Sequence, residues 1–358
     1  MRVSNNFLKV IAAIGAAFLA APGTAAAAEP AAAPSAEVQK TIEALRAEGL
    51  KKKWTFQVGW NGASERPLSK LAATIAPANF DEQVKDWKNG DGKLFESPQA
   101  QSGGAKISPS TRVVRSRLAM RLCREGSSTC SYWPVMTPVK DQMSCGACWA
   151  FAAMGAWEGT YALQYGVTID TSEQHVLNCP GVNGSCQGGF YGDVYASMRT
   201  TTGGVRDEAR DPYQAFQSPC VANPYGSHRV GVHGYVDVDA RAATWRIKRG
   251  LALMGPVVTS MYATPAFQHY KRGVFNENFN PVTLGGRPEI NHAVVIVGWD
   301  DVAGAWHVRN SWGTGWGDGG YAWVAYGSNN IGAYSMAVLP VDESPASAIP
   351  LTPRSTRN

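Results

Sequence analysis

Two cysteines in the stretch MSCGACWAF, residues 143–151, are the first candidates for chemistry. Cys145 and Cys148 have the C-x-x-C spacing, which suits a thiol redox pair, half of a zinc site, or a structural cysteine beside a reactive one. Cys148 begins a run that favours helix, and the unpaired N–H groups at a helix N-terminus lower the pKa of a thiol. The spacing leaves all three alternatives open, but the position of Cys148 makes it a candidate nucleophile.

A thiolate nucleophile needs a base, and the chain has six histidines, any one of which is more often structural than catalytic. His292 differs because it opens the strand-like run HAVVIVGWD, and the next such run, AWHVRNSW, contains Asn310. Adjacent strands would place Asn310 against one imidazole nitrogen and leave the other for Cys148, as nucleophile, base and orienting residue. Gln142 is a candidate oxyanion donor, although composition alone favours a solvent-exposed loop glutamine.

The elements that must position these residues fall into a helical half and a β half. The run from Cys148 to Gly166 predicts a helix with Gly166 as its C-cap. TSEQHVLNC, residues 171–179, predicts a short helix capped by Thr171 or Ser172. We therefore expect an α+β fold, helical over residues 118–235 and β-rich over 236–341. Strand-like runs lie at residues 231–238, 255–263, 292–300, 305–312 and 320–327.

The N-terminus has the pattern of a secretory signal peptide, residues 1–28. Arg2 and Lys9 carry positive charge, residues 7–21 are mostly apolar, and small residues permit cleavage near Ala28. An uncleaved membrane anchor is the alternative, but the apolar run is short for a spanning helix. We expect export to the periplasm or the exterior, with no membrane contact once the signal is removed.

Residues 29–117 contain no cysteine and differ from the rest of the chain. Residues 35–54 have helical spacing of apolar side chains, and residues 89–112 are rich in Gly, Ser and Pro, as an exposed linker is. This pattern fits a removable prosegment, and it fits an attached helical domain almost equally well. At the other end, the polar residues 342–358 predict a disordered tail.

Charge and cysteine content exclude some classes of function. The net charge is only +5, and no dense Lys/Arg run with aromatics is present, so nucleic-acid binding is disfavoured. In an oxidising compartment cysteines pair, and an odd number leaves one over, either for a second chain or as a free thiol. The seven cysteines are Cys123, Cys130, Cys145, Cys148, Cys179, Cys186 and Cys220.

Four blocks in order give the chain a resemblance to the papain-like cysteine proteases. They are PVKDQMSCGACWAF (138–151), NCPGVNGSCQGG (178–189), EINHAVVIVGWD (289–300) and RNSWGTGWGDGGY (309–321). The resemblance spans about residues 132–340 and implies a helical left domain and a β-barrel-like right domain, with the active-site cleft between them. It implies no cofactor.

The resemblance also implies a role for each matching residue. Cys148 matches the nucleophile and Gln142 the oxyanion-hole glutamine. His292 matches the base, and Asn310 matches the residue that orients it. Trp312 matches the indole that shields the His–Asn bond from water.

The family pattern implies which cysteines pair, and it thereby leaves Cys148 as the free thiol. Zinc is disfavoured because Cys145 is already bonded and no His/Cys set has ligand spacing around it. The implied pairs are Cys145–Cys186, Cys179–Cys220 and, by remainder, Cys123–Cys130.

The expected substrate subsites are apolar, so we expect preference for an apolar or aromatic side chain at P2, two residues before the scissile bond. The positions matching the family's glycine pair, P2 pocket and indole are Gly188, Gly189, Phe190, Tyr191, Ile290, Ala293 and Trp312. Each of the P2 residues alone would fit a core position equally well.

The leading hypothesis is an exported endopeptidase made as a precursor, whose partners are peptide or protein substrates and its own prosegment. An unusual segment before the first block suggests a bacterial branch. An exopeptidase of the same fold would need a blocked cleft, and residues 264–288 or the Cys123–Cys130 loop are candidate blockers. A non-catalytic binding protein ranks lower because all four functional positions are filled, and a thiol oxidoreductase ranks lowest.

Overall fold

The protein is described by a computed structural model, in which the residues from Pro34 onward belong to one compact unit. The predicted signal peptide and the linker at 89–112 lie outside the described residues. Across the described part, no helix combines the length and apolar character needed to cross a membrane. The described residues are 33–78, 80, 121–179, 183–200, 205–220, 229–231, 235–237, 244–341 and 349–350.

Serine side chains cap the start of two helices within these ranges. Ser35 caps the first helix by accepting from the Val38 N–H, and Ser172 caps another by accepting from the His175 N–H at 2.8 Å. The helices are α1 (Ala36–Lys52), α2 (Leu68–Leu71), α3 (Cys148–Tyr165), α4 (Glu173–Asn178), α5 (Tyr191–Thr200), α6 (Thr244–Leu253) and α7 (Pro265–Gln268).

Helix α3 runs through the centre of the molecule. It ends at Gly166, whose left-handed φ of 75° lets its N–H bond the Ala162 carbonyl at 3.0 Å. Nearly every α3 residue is buried, as expected for a helix that is apolar on all sides. Gly155 allows close contact with the sheet, because a Cβ there would lie 2.9 Å from Arg309 Nη1. The helix that carries Cys148 is thus packed directly against the strands that carry the candidate base and its partner.

A mixed, mostly antiparallel sheet of nine strands packs with these helices, which confirms the predicted α+β class. The main-sheet strands are β1 (Thr55–Val58), β2 (Thr129–Ser131), β5 (Tyr235–Asp237), β6 (Val257–Met261), β7 (Tyr270–Phe275), β8 (His292–Asp300), β9 (Ala305–Arg309), β10 (Tyr321–Ala325) and β11 (Ala333–Ala337). Their order in the sheet is β1-β7-β10-β9-β8-β6-β11-β5, and β2 pairs with the last residues of β8.

Four strands of the main sheet were not among the predicted runs: β1, β2, β7 and β11. β7 (YKRGVF) carries charged residues that face solvent, and β11 (AYSMA) has no β-branched residue, so neither has the composition typical of a strand. β7 pairs antiparallel with β1, which lies in the predicted prosegment. A segment before residue 117 therefore completes the edge of the sheet.

Smaller features complete the chain. Two short pairs join β12 (Leu339–Val341) to β4 (Arg229–Gly231), and β13 (Ile349–Pro350) to β3 (Val167–Thr168). The last strand lies in the predicted disordered tail, whose other residues are outside the described part. The disulfides are Cys123–Cys130, Cys145–Cys186 and Cys179–Cys220.

Gly298 on β8 allows β2 to approach, because a Cβ there would lie 2.1 Å from the Cys130 carbonyl oxygen. We expect Gly298→Ala to lower the free energy of unfolding by about 1–3 kcal/mol through overpacking. Urea unfolding without a reducing agent, so that the disulfides stay intact, measures this change in stability. Gly285→Ala is the matched control because its nearest neighbour is 3.9 Å away, and equal stability of the two variants would contradict the account.

Candidate active site

Cys148 is fully buried at the first residue of α3, and it is the free cysteine of the described chain. Its Sγ lies 3.1 Å from the Thr74 hydroxyl and accepts from the Ala73 N–H at 3.5 Å. Both contacts come from the segment before residue 117. The thiol therefore sits at a helix N-terminus, beneath residues of the N-terminal segment.

Opposing effects set the charge state of this thiol. Burial by itself raises the pKa of Cys148. The positive charge of His292 and the bonds from Thr74 and Ala73 outweigh burial and lower the pKa to about 7, from 9.0. Near neutral pH a large fraction of Cys148 is thus thiolate, which is the nucleophilic form.

His292 and Asn310 meet because their strands are antiparallel neighbours. His292 opens β8, Asn310 follows the last residue of β9, and Val295 pairs with Arg309 between them. His292 Nε2 lies 2.9 Å from Asn310 Oδ1. Since an amide oxygen only accepts, this contact assigns the proton to Nε2 and leaves Nδ1 for another partner.

The other imidazole nitrogen is poised for the thiol. His292 Nδ1 is buried and has no hydrogen-bond partner among the described residues. The charge of His292 and a side-chain interaction of its imidazole with the thiol both lower the pKa of Cys148, so the two groups are close together. The arrangement of Cys148, His292 and Asn310 is one in which a thiol, an imidazole and an orienting amide could act together.

Aromatic side chains close the His292–Asn310 pair off from water. The Trp312 ring lies 4.6 Å from the imidazole, centroid to centroid, and is fully buried. Phe267 of α7 packs on both Trp312, at 5.7 Å, and His292, at 6.2 Å. A dry environment strengthens the hydrogen bond that orients the imidazole.

Gln142 is fully buried, so it is not a solvent-exposed loop glutamine. Its Nε2 donates to the Leu71 carbonyl at 3.1 Å and to the Cys145 carbonyl at 2.8 Å. Its Oε1 accepts from the Ser311 hydroxyl at 2.7 Å, which fixes the direction of the amide. The Leu71 carbonyl also accepts from Trp312 Nε1 at 3.2 Å, so a peptide oxygen already occupies this donor site.

Ser311 was not a sequence candidate. It lies between the two residues of the RNSW block that were named, Asn310 and Trp312, and that position was the available signal. The N–H of Gln142 also bonds the Ser311 carbonyl at 2.8 Å, so backbone and side chain together hold the glutamine.

The N-terminal segment passes through the groove as an extended chain. Ile75 donates its N–H to the Gly189 carbonyl at 3.0 Å, and Gly189 donates to the Ala73 carbonyl at 3.2 Å, which forms a parallel bridge. The Thr74 N–H donates to the Asn291 carbonyl at 2.7 Å. The predicted substrate-binding glycine therefore binds a peptide backbone by strand addition.

The expected P2 residues are distributed between pocket and core. Phe190 packs edge-on against Phe80, at 5.6 Å, and Phe80 also packs against Tyr334, at 4.9 Å. The Tyr191 hydroxyl donates to the Tyr334 carbonyl at 2.5 Å, and the Tyr191 ring is fully buried. Ala293 is buried, Ile290 is half-buried, and Gly188 has a positive φ of 135°.

A buried charge cluster lies behind the site. Lys140 contacts the carboxylates of Glu173 at 2.7 Å, Asp170 at 2.7 Å and Glu158 at 3.4 Å. Burial opposes the charge of Glu158, but Lys140 and Arg309 outweigh it and hold the pKa of Glu158 below its ordinary value. The cluster connects α3 to the loop that carries Gln142.

One group of described residues has the proximity of metal ligands. The ligand atoms of His175, Cys179 and Cys220 all lie within 4.8 Å of one another. Both sulfurs are bonded to each other as a disulfide, so neither is a thiolate that would bind a metal ion.

A cysteine beside a histidine–amide pair, placed between a central helix and a sheet, defines the site of a cysteine hydrolase. Residues 129–341 match the family described as "Papain family cysteine protease". The match covers more than half of the chain, and the chain belongs to that family.

Relatives and solved structures agree with this assignment. The chain is 37% identical to "Cathepsin K" of Gallus gallus, over 57% of this chain and 60% of that protein. It is 32% identical to "Gamete and mating-type specific protein A" of Dictyostelium discoideum, over 58% of this chain and 44% of that protein. It therefore spans about half to three fifths of these curated relatives. Both are eukaryotic and lend no support to a bacterial branch.

In one structural comparison, the similarity of fold extends beyond residues 129–341. Procathepsin L2 from Tenebrio molitor superposes with a TM-score of 0.65 over 87% of this chain and 95% of that chain, at 24% identity. The bromelain protease from Ananas comosus, solved in complex with the E64 inhibitor, superposes with a TM-score of 0.50 at 30% identity. It covers 61% of this chain and the whole of that chain.

The lowered pKa of Cys148 predicts a pH dependence of the free thiol. Because the folded pKa is below the ordinary value, the thiolate is present above about pH 7 and is lost as the pH falls through 7. Ultraviolet absorbance of the thiolate, taken as the difference between the precursor and Cys148→Ser, measures the transition. A midpoint close to 9.0, the ordinary value, would contradict the proposed influence of His292.

Proposed function

We propose that this chain is the precursor of an exported cysteine endopeptidase. The observation that carries the proposal is the geometry of one thiol. Cys148 is unpaired, has a pKa lowered to about 7, and lies beside the His292–Asn310 pair. Such a thiolate attacks carbonyl carbon rather than exchanging with the neighbouring Cys145, which is bonded to Cys186.

The mechanism follows from the roles of these side chains. Cys148 Sγ attacks the scissile carbonyl, and the Cys148 N–H and Gln142 Nε2 donate to the oxyanion. His292 Nδ1 gives its proton to the leaving amine and then takes one from the water that hydrolyses the acyl-enzyme. Asn310 holds the imidazole in the required orientation throughout.

The path of the N-terminal segment supports cleavage within chains rather than at chain ends. Ile75 bonds Gly189 on one side of Cys148, and Leu71 bonds Gln142 on the other side. A groove that accepts a continuous backbone on both sides of the nucleophile suits an endopeptidase.

One candidate blocker of an exopeptidase, the Cys123–Cys130 loop, lies far from His292. Cys130 pairs with Trp299, seven residues along β8 from His292, which is about 23 Å at the usual rise per strand residue. Within residues 264–288, helix α7 packs Phe267 against His292 and Trp312, and strand β7 pairs with β1, so both are part of the packing that supports the site. Neither feature favours a closed cleft.

The N-terminal segment is the proposed inhibitor of the precursor. Thr74 covers the Cys148 sulfur, and the Leu71 carbonyl occupies the Gln142 donor site. β1 extends the sheet at β7, and Asn61 Nδ2 donates to the Gln268 carbonyl at 2.9 Å. Substrate therefore reaches the thiol only after this segment is displaced or removed.

An apolar P2 preference and export complete the proposal. Phe80 of the N-terminal segment packs against Phe190 and Tyr334, and this contact supports an aromatic or large apolar side chain at P2.

The three disulfides suit an oxidising compartment, consistent with a signal peptide at residues 1–28.

Digestion of a long unmodified peptide by the processed protein tests the proposal. We expect internal fragments from the wild type and a loss of cleavage of at least roughly a thousandfold for Cys148→Ala. Mass spectrometry of the products at early times measures both. Stepwise trimming from one end would favour an exopeptidase, and an intact peptide with wild-type protein would favour a non-catalytic binding protein.

Loosening of the N-terminal segment tests the inhibition. Asn61→Ala removes the two bonds that this buried side chain donates to the Gln268 and Tyr270 carbonyls, together with two local bonds that its Oδ1 accepts. We therefore expect roughly tenfold more hydrolysis by the intact precursor. Initial rates before processing, with chain length checked by mass spectrometry, give the measurement. Lys40→Ala on the exposed face of α1 is the control. Equal rates for both variants would contradict the inhibitory role.

A further inference from the structure

A cation-binding position lies beside the catalytic groove and is occupied by the chain's own arginine. Arg66 Nη1 donates to Asp141 Oδ1 at 2.6 Å, and Arg66 Nη2 donates to the Trp312 carbonyl at 3.2 Å and to the Gly62 carbonyl at 2.9 Å. The Arg66 side chain is only 15% exposed, although arginine is usually at the surface.

Two of these three acceptors belong to the part of the chain that remains after loss of the N-terminal segment. Asp141 and Trp312 face each other as an antiparallel bridge. Asp141 Oδ1 also accepts from the Met143 N–H at 2.8 Å, so the carboxylate is held independently of Arg66. Gly313 leaves it room, because a Cβ there would lie 2.9 Å from Asp141 Oδ2. The position is therefore preformed.

The order of contacts along the N-terminal segment locates this position relative to the scissile bond. Ile75 lies at Gly189, Thr74 at Cys148, Leu71 at Gln142, and Arg66 at Asp141. Under the proposed function, the residues before the scissile bond lie along Gly189. The residues after it must then extend past Gln142 and Trp312 towards Asp141.

We propose that Asp141 and the Trp312 carbonyl form a subsite that selects arginine on the C-terminal side of the scissile bond. The inference rests on the proposed function and adds a specificity-determining residue, Asp141. Two acceptors that bind two different guanidinium nitrogens match the planar fork of arginine, whereas a lysine ammonium is a single point charge. In the precursor Arg66 occupies the subsite, and in the processed protein a substrate arginine replaces it.

Hydrolysis of internally quenched peptides by the processed protein tests the subsite. The peptides differ only at one of the first three positions after the scissile bond, which holds arginine, citrulline or lysine. Citrulline keeps the shape of arginine without its charge. At one of these positions we expect kcat/KM for arginine to exceed that for citrulline by roughly fivefold, with lysine between them.

Asp141→Asn keeps the oxygen that accepts from Met143 and removes the charge, so the preference for arginine should fall to near unity. Asp141→Lys should invert the preference, so that glutamate at that position is cleaved faster than arginine. The ratio between peptides is the readout, because Asp141 adjoins Gln142 and its substitution alters the overall rate as well.

Asp301→Asn is the matched control. The Asp301 side chain is 38% exposed, against 39% for Asp141, and it also pairs with a cation, Lys248, but it lies beyond the far end of β8. This variant should keep the wild-type preference for arginine.

The outcomes distinguish a failure of the subsite proposal from a failure of the proposed function. Equal kcat/KM for arginine and citrulline at all positions, with peptides cleaved, would overturn the subsite alone. An arginine preference that survives in Asp141→Asn and Asp141→Lys would overturn the role of Asp141. Absence of hydrolysis of every peptide, including a coumarin amide with no residue after the scissile bond, would overturn the proposed function and the subsite together.

Discussion

The buried carboxylate of Glu158 connects the helix that carries Cys148 to the segments that lead to Gln142 and Asn310. It lies on α3, three turns after Cys148, and accepts from the Thr137 hydroxyl at 2.5 Å and the Thr171 N–H at 2.9 Å. Lys140, two residues before Gln142, contacts it at 3.4 Å, and Arg309, the residue before Asn310, stabilises its charge. An uncompensated charge at this depth costs several kcal/mol, so these partners must stay together. The site geometry depends on that requirement.

The groove binds a peptide backbone, and the chain's own N-terminal segment occupies it. Gly189 and Asn291 bond the backbone of residues 73–75, and Gln142 and Trp312 bond the Leu71 carbonyl. Such main-chain contacts are insensitive to side-chain identity. Under the proposed function they allow inhibition without a special sequence, and selectivity comes from the side-chain positions at either end, where Phe80 meets Phe190 and Arg66 meets Asp141.

Prediction from sequence succeeded where a local signal existed. The start and end of α3 followed from helix-forming residues and from Gly166, and β8 and β9 followed from short apolar runs with turns between them. The strands β7 and β11 were missed because their pairing partners, and not their composition, make them strands. Ser311 was missed because its role depends on contact with a side chain 169 residues earlier.

By itself the sequence determined the family, the four ordered blocks and therefore the identity of the candidate catalytic residues, since residue types and spacing are local properties. It also indicated an N-terminal segment distinct from the rest. Only the tertiary structure decided that Thr74 covers the thiol, that Leu71 occupies the donor site of Gln142, and that Arg66 binds Asp141. Contacts between residues about 70 positions apart depend on how the helix and the sheet pack, and no local pattern of residues encodes them.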